Sequence, residues 1–423
     1  MDFKFLIAAD VHLDSPLHGL SQYPGAPVDL LRGATREALK NLVRLALEEQ
    51  VSLVLLAGDL YDGNWRDYNT GLFLAQQLAR LREGGIRAFV IHGNHDAENR
   101  MTRSLNLPDN VTVFKTRRAE TIRLEDLGVA IHGQGFARKD VMDNLAEHYP
   151  AAQADFFNIG MLHTALSGGY QGHAPYAPCT LGTLQSKAYD LWALGHVHTP
   201  VVLCEEPLIL FPGNIQGRHV RETGPKGCAL VAVEDGKVVS HEQRNLHVLR
   251  WEIIRVDATE ASDPDSVVEM AAAAVATEVE RGGGEFVATR LAITGDSRAH
   301  RRLLENPEHW TAGIRATVAA TTAEAAWVEK VQFLTKPGVD PEDRLPGSGP
   351  LADLLRYVDG LSADDQLRAL LAEDLQTLRE KLPAEIFLGD EGITPDSPHD
   401  LARTVADVKG MLIPRLLASR VTK

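Results

Sequence analysis

The chain has 423 residues, 44% of them hydrophobic and 24% charged, the balance of a folded globular protein with room for two or three domains. No run of about 18 apolar residues is present, which excludes a helical membrane span, and the opening MDFKFLIAADVHLDS turns acidic too soon for a signal peptide. A net charge of −15 argues against adhesion to nucleic acid over the whole surface, but it leaves room for a local basic groove or for positive charge brought by metal ions.

Residues 3 to 9, 51 to 56 and 87 to 91 are short apolar runs rich in strand-forming residues. Helical patterns at 34 to 49 and 69 to 83 separate them, so the first hundred residues alternate β-α-β-α-β. That order predicts a mostly parallel sheet covered by helices. TVFK, GVAIHG, FNIGML, YDLWAL, PLILFPG and CALVAVEDGKVVSHE follow, the last with a hairpin signal at Asp235-Gly236. Residues 1–247 are therefore expected to form one α/β domain with a more antiparallel second half.

After residue 247 the composition shifts. An alanine-rich helix (263 to 281), a strand EFVATRLAIT, a helix near 297 to 305 and a strand near AAWVEKVQF predict a small α+β unit over 248–335. Residues 336–350, KPGVDPEDRLPGSGP, have the composition of a linker. The segment 351–423 is expected to be helical: Ser362 caps a helix running to about 382, where Pro383 stops it, and a last helix spans 398 to 419. That tail is locally basic, a solvated face or a docking or DNA-contact surface. Three cysteines (Cys179, Cys204 and Cys228) lack metal-type spacing and imply a reducing, cytoplasmic setting.

Five segments carry chemistry, and each ends an apolar strand. They are AADVH (Asp10, His12), LAGDLYD (Asp59, Asp62), IHGNHD (Asn94, His95, Asp96), GMLH (His163) and ALGHVH (His196, His198). Side chains at i and i+2 of an extended chain point to one side, so Asp10/His12 and His196/His198 are each expected to share a face. A single such pair at a strand end is more often solvated loop or hairpin polarity. Five segments at the carboxyl ends of strands, where α/β sheets bind ligands, are not. Imidazole nitrogens, carboxylates and an amide oxygen suit borderline divalent metals.

In this order D-x-H, G-D-x-x-D, G-N-H-D, a lone His and G-H-x-H resemble the calcineurin-like metallophosphoesterases. The resemblance implies a four-layer α/β/β/α sandwich with a two-metal site. Asp10, His12 and His198 would hold one metal and Asn94, His163 and His196 the other, with Asp59 bridging. His95 would be the catalytic histidine, oriented by Asp62. The chemistry supports those roles, because two ions roughly 4 Å apart supply a nucleophile and neutralise phosphoryl oxygens. A histidine beside a ligand but on the other side of the chain can serve the leaving oxygen.

HAPYAPCTLGTL (173 to 184), DLWALGHVH and FPGNIQGRHVRETGPKG (211 to 227) further resemble bacterial DNA repair exonucleases of the SbcD type, in their YhaO-like branch. RLAITG (290 to 295) and AAWVEKV (325 to 331) resemble the capping domain of those nucleases. This likeness implies a manganese-dependent nuclease acting on the ends of double-stranded DNA, a homodimer working with an SbcC- or Rad50-like coiled-coil ATPase. Iron and zinc suit the same ligands. Arg218, His219, Arg221 and Lys226 crowd a glycine-rich loop after the histidine pair, which makes Arg218 and Arg221 candidates for substrate phosphate contact. Arg100 and Arg103 are similar candidates. The alternatives are a phosphodiesterase or phosphatase for a small nucleotide-type substrate, and a scaffold that has lost catalysis; the latter would be marked by a missing ligand, and all seven are present.

Overall fold

The first strand shows how the sequence builds the core. In β1 (Phe3–Ala8) Phe5 and Ile7 enter one apolar layer while Leu6 and Ala8 enter another, as the period of two requires for a strand covered on both faces. The computed structural model describes residues 2–15, 25–62, 68–98, 106–166, 176–338 and 350–361. It divides into two units, Met1–Ile253 with Val279–Thr289 and Ile254–Glu278 with Arg290–Lys423.

In the first unit, α1 (Val28–Glu48), β2 (Leu53–Ala57), α2 (Tyr68–Glu83), β3 (Arg87–Ile91), the short α3 (Asn94–Glu98) and β4 (Val111–Val113) follow β1. β1 to β4 pair in parallel order. Next come β5 (Glu120–Leu124), β6 (Val129–Gly133), β7 (Phe157–His163), α4 (Leu181–Gln185), β8 (Leu191–Gly195), β9 (Val201–Cys204) and β10 (Leu208–Phe211). They make a second six-stranded sheet in the order β5-β6-β7-β8-β10-β9. β11 (Gly227–Glu234) returns to pair antiparallel with β1, and β12 (Lys237–Asn245) closes that edge. The expected hairpin turn joins them, with φ of 50° at Asp235 and 72° at Gly236, the positive values a type I′ turn requires.

The two sheets face one another through Phe5, Ile7, Leu55 and Phe89 on one side and Ile131, Ile159, Met161 and Ala193 on the other. Leu39, Leu42, Leu74 and Leu78 of α1 and α2 cover the far face of the first sheet. Trp192, Leu194, Leu184 and Tyr149 pack on the far face of the second. Each large side chain fully buried in these layers contributes about 1.5–3 kcal/mol. This is the expected four-layer arrangement of helices and sheets. Among the described residues, no helix is long and apolar enough to cross a membrane.

β13 (Leu249–Asp257), α5 (Pro264–Arg281) and β14 (Phe286–Thr294) run across the division between the units. The second unit continues with β15 (Asp296–Ser297), α6 (His300–Glu305), α7 (Pro307–Thr321), β16 (Ala326–Phe333), β17 (Lys336–Pro337) and α8 (Pro350–Leu361). α7 differs from expectation, which placed one helix near 297 to 305 and none after it. Asn306 caps it by accepting from the main-chain N–H of His309 at 3.3 Å, and Pro307 opens its first turn. Lys336 and Pro337, within the expected linker, pair with Asp296 and Ser297. The helices expected over 362–382 and 398–419 lie outside the described residues, as do Arg100 and Arg103.

Candidate dinuclear metal site

The carboxyl ends of β1, β2, β3, β7 and β8 bring all seven expected ligands to one place. Nε2 of His12 lies 3.3 Å from Nε2 of His198 and 3.9 Å from Oδ2 of Asp59, and Nε2 of His198 lies 3.7 Å from Oδ1 of Asp10. On the other side, Nε2 of His163 is 3.4 Å from Oδ2 of Asp59 and 3.0 Å from Oδ1 of Asn94. The His196 ring sits 5.3 Å from that of His163. Oδ2 of Asp59 therefore stands between the two groups. Asp10 falls in a ligand cluster with His12 and His198, and also in one with Asp59 and His163.

The strand-face explanation of the D-x-H and H-x-H spacings needs correction. β1 ends at Ala8 and β8 at Gly195, before either pair begins. Asp10, His12, Asp59 and His196 instead have φ of 51°, 44°, 53° and 104°. Residues other than glycine rarely take such values, and they gather at functional sites. Main-chain hydrogen bonds hold the turns, with the N–H of Asp10 donating to Gly58 and that of His12 to Asp59.

Hydrogen bonds set which atom of each ligand faces inward. Nδ1 of His163 lies 3.0 Å from the carbonyl of Ala57, so it is the nitrogen that donates and Nε2 is left to bind. Oδ1 of Asp59 accepts from the main-chain N–H of His95 at 2.9 Å, leaving Oδ2 for the centre. Both oxygens of Asp10 accept from the N–H of His196. Glycines make the space. A Cβ on Gly195 would lie 1.9 Å from the Ala57 carbonyl oxygen, and one on Gly93 would lie 2.2 Å from Oδ1 of Asp59.

The donor set fits divalent cations. Asp10 and Asp59 are each 1% exposed, and two imidazole nitrogens point at each other across 3.3 Å, where at most one proton can sit. Nδ1 of His12 is buried without a hydrogen-bond partner, 3.7 Å from Oδ1 of Asp62. Burial, helped by Arg218, pushes the pKa of His12 down to about 4, so it stays a neutral donor. Burial opposes a charge on His163 as well, but Asp59 beside it holds the pKa up to about 9. Against burial, His163 and His12 keep Asp59 below the usual carboxylate range.

His95 lies beside the ligands with its side chain 33% exposed, its Nδ1 2.9 Å from Oδ1 of Asp62. Burial works against its charge, yet Asp62 and Asp59 raise its pKa overall. Ser15 holds the other oxygen of Asp62 at 2.5 Å. Asp96 is fully buried and accepts from the N–H groups of Tyr61 and Gly93, bracing the loop. Arg218 is mostly buried, 2.9 Å from Glu222 and 3.6 Å from Asp62, while Arg221 is exposed on the same loop. Lys226 is buried and donates to the His198 carbonyl at 3.0 Å. Glu222 escaped the sequence reasoning: it is 6% exposed and lies 2.7 Å from Nδ1 of His198. Its one sequence signal is the spacing of four from Arg218.

Comparison with known proteins agrees with this site. Residues 3–200 match the family of calcineurin-like phosphoesterases, and residues 251–336 match the middle domain of the metallophosphoesterase YhaO. The chain is 37% identical over 311 residues to the uncharacterized metallophosphoesterase YhaO of Bacillus subtilis (strain 168), covering 73% of this chain and 75% of that protein. Among solved structures, a dimetal phosphatase from Danio rerio aligns with a TM-score of 0.36 and 12% identity, over 55% of this chain and 93% of that one. A protein of Thermus thermophilus aligns at 0.34 and 12%, over 58% and 100%. At that distance these two likenesses say nothing of function. The sequence match over most of both chains settles the matter: this protein belongs to the calcineurin-like metallophosphoesterases, in their YhaO-like group.

Proposed function

We propose that the chain hydrolyses phosphodiester bonds at the ends of double-stranded DNA as the manganese-dependent nuclease of a cytoplasmic repair complex, a homodimer beside an SbcC-like ATPase. The observation that carries the chemistry is the position of His95, which flanks the ligand cluster with Nδ1 2.9 Å from Oδ1 of Asp62 and a side chain 33% exposed. Asp10, His12 and His198 would hold one ion, Asn94, His163 and His196 the other, and Asp59 both. Divalent cations there supply Lewis acidity and a nucleophile drawn from water at neutral pH.

The chain's own residues do the rest. As water's oxygen forms its bond to phosphorus, the bond to the leaving oxygen breaks, and that oxygen gains negative charge. His95 gives it the Nε2 proton. Asp62 stabilises the imidazolium beforehand and keeps the ring from turning.

A basic groove supports a polymeric substrate. It measures about 640 Å³, within the size range of ligand sites, and Arg117, Arg118, Arg138 and His148 line it alongside Asp143 and Glu147. Gly135 lines it too, and the next residue, Phe136, sets its ring 5.6 Å from that of His163. Cations lining a groove suit a phosphate backbone. The second reading, a small nucleotide-type substrate, draws support from Arg218, whose pairing with Glu222 and Asp62 occupies it within the protein.

The test is degradation of an end-labelled duplex by the purified chain in manganese, with a chelator control and His95→Ala alongside. Loss of label in manganese alone, absent in the variant, is expected. Hydrolysis of a generic phosphodiester with no DNA cleavage, even when an SbcC-like ATPase is added, would favour the small-substrate reading.

A further inference from the structure

The Glu222 carboxylate is shared among groups that belong to different parts of the site. Its Oε1 lies 2.7 Å from Nδ1 of His198 and accepts from Nη2 of Arg218 at 2.9 Å. Its Oε2 accepts from Nδ2 of Asn214 at 3.1 Å and from the main-chain N–H of Arg218 at 2.7 Å. Arg218 places Nη1 3.6 Å from Oδ2 of Asp62, whose other oxygen is 2.9 Å from Nδ1 of His95. One buried carboxylate is thus tied directly to a metal-facing imidazole and, through a guanidinium, to the carboxylate behind the proton donor.

We infer that Glu222 is a positioning residue for both halves of the reaction centre: it fixes the ring and tautomer of His198, and through Arg218 it sets Asp62 against His95. The inference rests on the two-ion reading of the site and is independent of the substrate. A neutral histidine has one N–H and one lone pair. With Nδ1–H donating to Glu222, the lone pair lies on Nε2, the atom that faces Asp10 and His12. A carboxylate also makes the imidazole a better ligand, an effect worth roughly 10–100-fold in metal affinity. Asn214, in the loop after β10, aims the carboxylate from behind.

A plainer role must be separated from this one. Glu222 offsets the buried charge of Arg218, and removing one partner of a buried pair destabilises a protein regardless of catalysis. If that were its whole role, Arg218→Met would rescue Glu222→Ala. If Glu222 positions His198, the double variant recovers stability but not metal affinity.

The experiment is a manganese titration of the full chain by calorimetry, for the wild type, Glu222→Ala, Glu222→Gln and Glu222→Ala/Arg218→Met. Thermal unfolding and hydrolysis of a phosphodiester with an alkoxide leaving group, which needs the His95 proton, are measured in parallel. In the wild type two ions are expected. Glu222→Ala should weaken one of them by about 100-fold and leave the other unmoved. Glu222→Gln keeps the volume but turns an amide N–H₂ toward the Asn214 and Arg218 donors, and should weaken the same ion by about 10-fold. It carries the comparison if the alanine variant fails to fold. Wild-type affinity for both ions in Glu222→Ala, or in Glu222→Gln where only that variant folds, overturns the inference, as does affinity restored by Arg218→Met. Fewer than two ions in the wild type would overturn the two-ion reading itself, and the inference with it.

Discussion

Nε2 of His12 and Nε2 of His198 face each other across 3.3 Å although 186 residues separate them in the chain. Two lone-pair donors are held close here because their backbones are locked, His12 by its bond to Asp59 and His198 by the Lys226 ammonium on its carbonyl. A cation held by His12, His198 and Asp10 would relieve the opposition of two lone pairs there.

Asp59 is the residue whose loss should disturb both ions at once. Asp59→Asn keeps an oxygen for the His95 N–H but replaces Oδ2, which lies 3.9 Å from His12 and 3.4 Å from His163, with an amide nitrogen. Metal content by elemental analysis should fall below two ions per chain. Activity should drop by more than the roughly 100-fold that separates good from poor outer partners. Two tightly held ions in this variant would remove the bridging role.

His95→Ala should leave metal uptake unchanged while turnover falls by about 10²–10⁴-fold. The deficit should depend on the leaving group. A nitrophenolate departs without a proton and should lose little, whereas an alkoxide such as a nucleoside 3′ oxygen should show the full loss. An equal deficit for both would mean that His95 does not act as the acid.

The groove of Arg117, Arg118 and Arg138 distinguishes the two substrates. A triple alanine variant should raise KM for duplex DNA and flatten its dependence on salt, because fewer counterions are released on binding. Hydrolysis of bis-p-nitrophenyl phosphate should not change. If DNA cleavage in the variant matched the wild type at every salt concentration, the groove would have no part in substrate binding.

His132 gives the fold a pH dependence away from the metal site. It is fully buried, stacked on Tyr189 at 4.2 Å and placed 3.0 Å from Asn158 and 2.8 Å from Thr121. Burial lowers its pKa, with Asn158 only partly opposing. The unfolded chain therefore takes up the proton first. The stabilisation is complete above about pH 6.5, the unperturbed histidine value, and is lost as pH falls from there through the lower folded value. Urea midpoints at about pH 7.5 and about pH 5.5 should differ more for the wild type than for His132→Gln. Equal differences would show that His132 carries no such linkage.

The ligands were legible because metal chemistry admits few side-chain types and α/β topology brings strand ends together. The parallel core was legible from β-α alternation, and the hairpin from Asp235-Gly236, whose φ values suit little else. The conformation of the ligand loops was not. Nothing in the residue types at Asp10 or His196 announces a positive φ, since long-range hydrogen bonds impose it. Glu222 was missed because its partners His198 and Asn214 meet it only in the folded chain. The α7 helix was missed for the opposite reason. Its Asn306-Pro307 start is a local signal that directly adjoins the end of the helix expected near 297 to 305.

Four of the residues that gather at the site keep backbone conformations that ordinary side chains avoid, at a cost of order 1–3 kcal/mol each and less for an aspartate. Stability alone would favour glycine or asparagine at Asp10, His12, Asp59 and His196. In a lineage released from hydrolysis, drift would reach those positions first and leave a sturdier, inert protein. Three imidazole-or-carboxylate motifs held on unfavourable backbone are what the ligand geometry costs the fold.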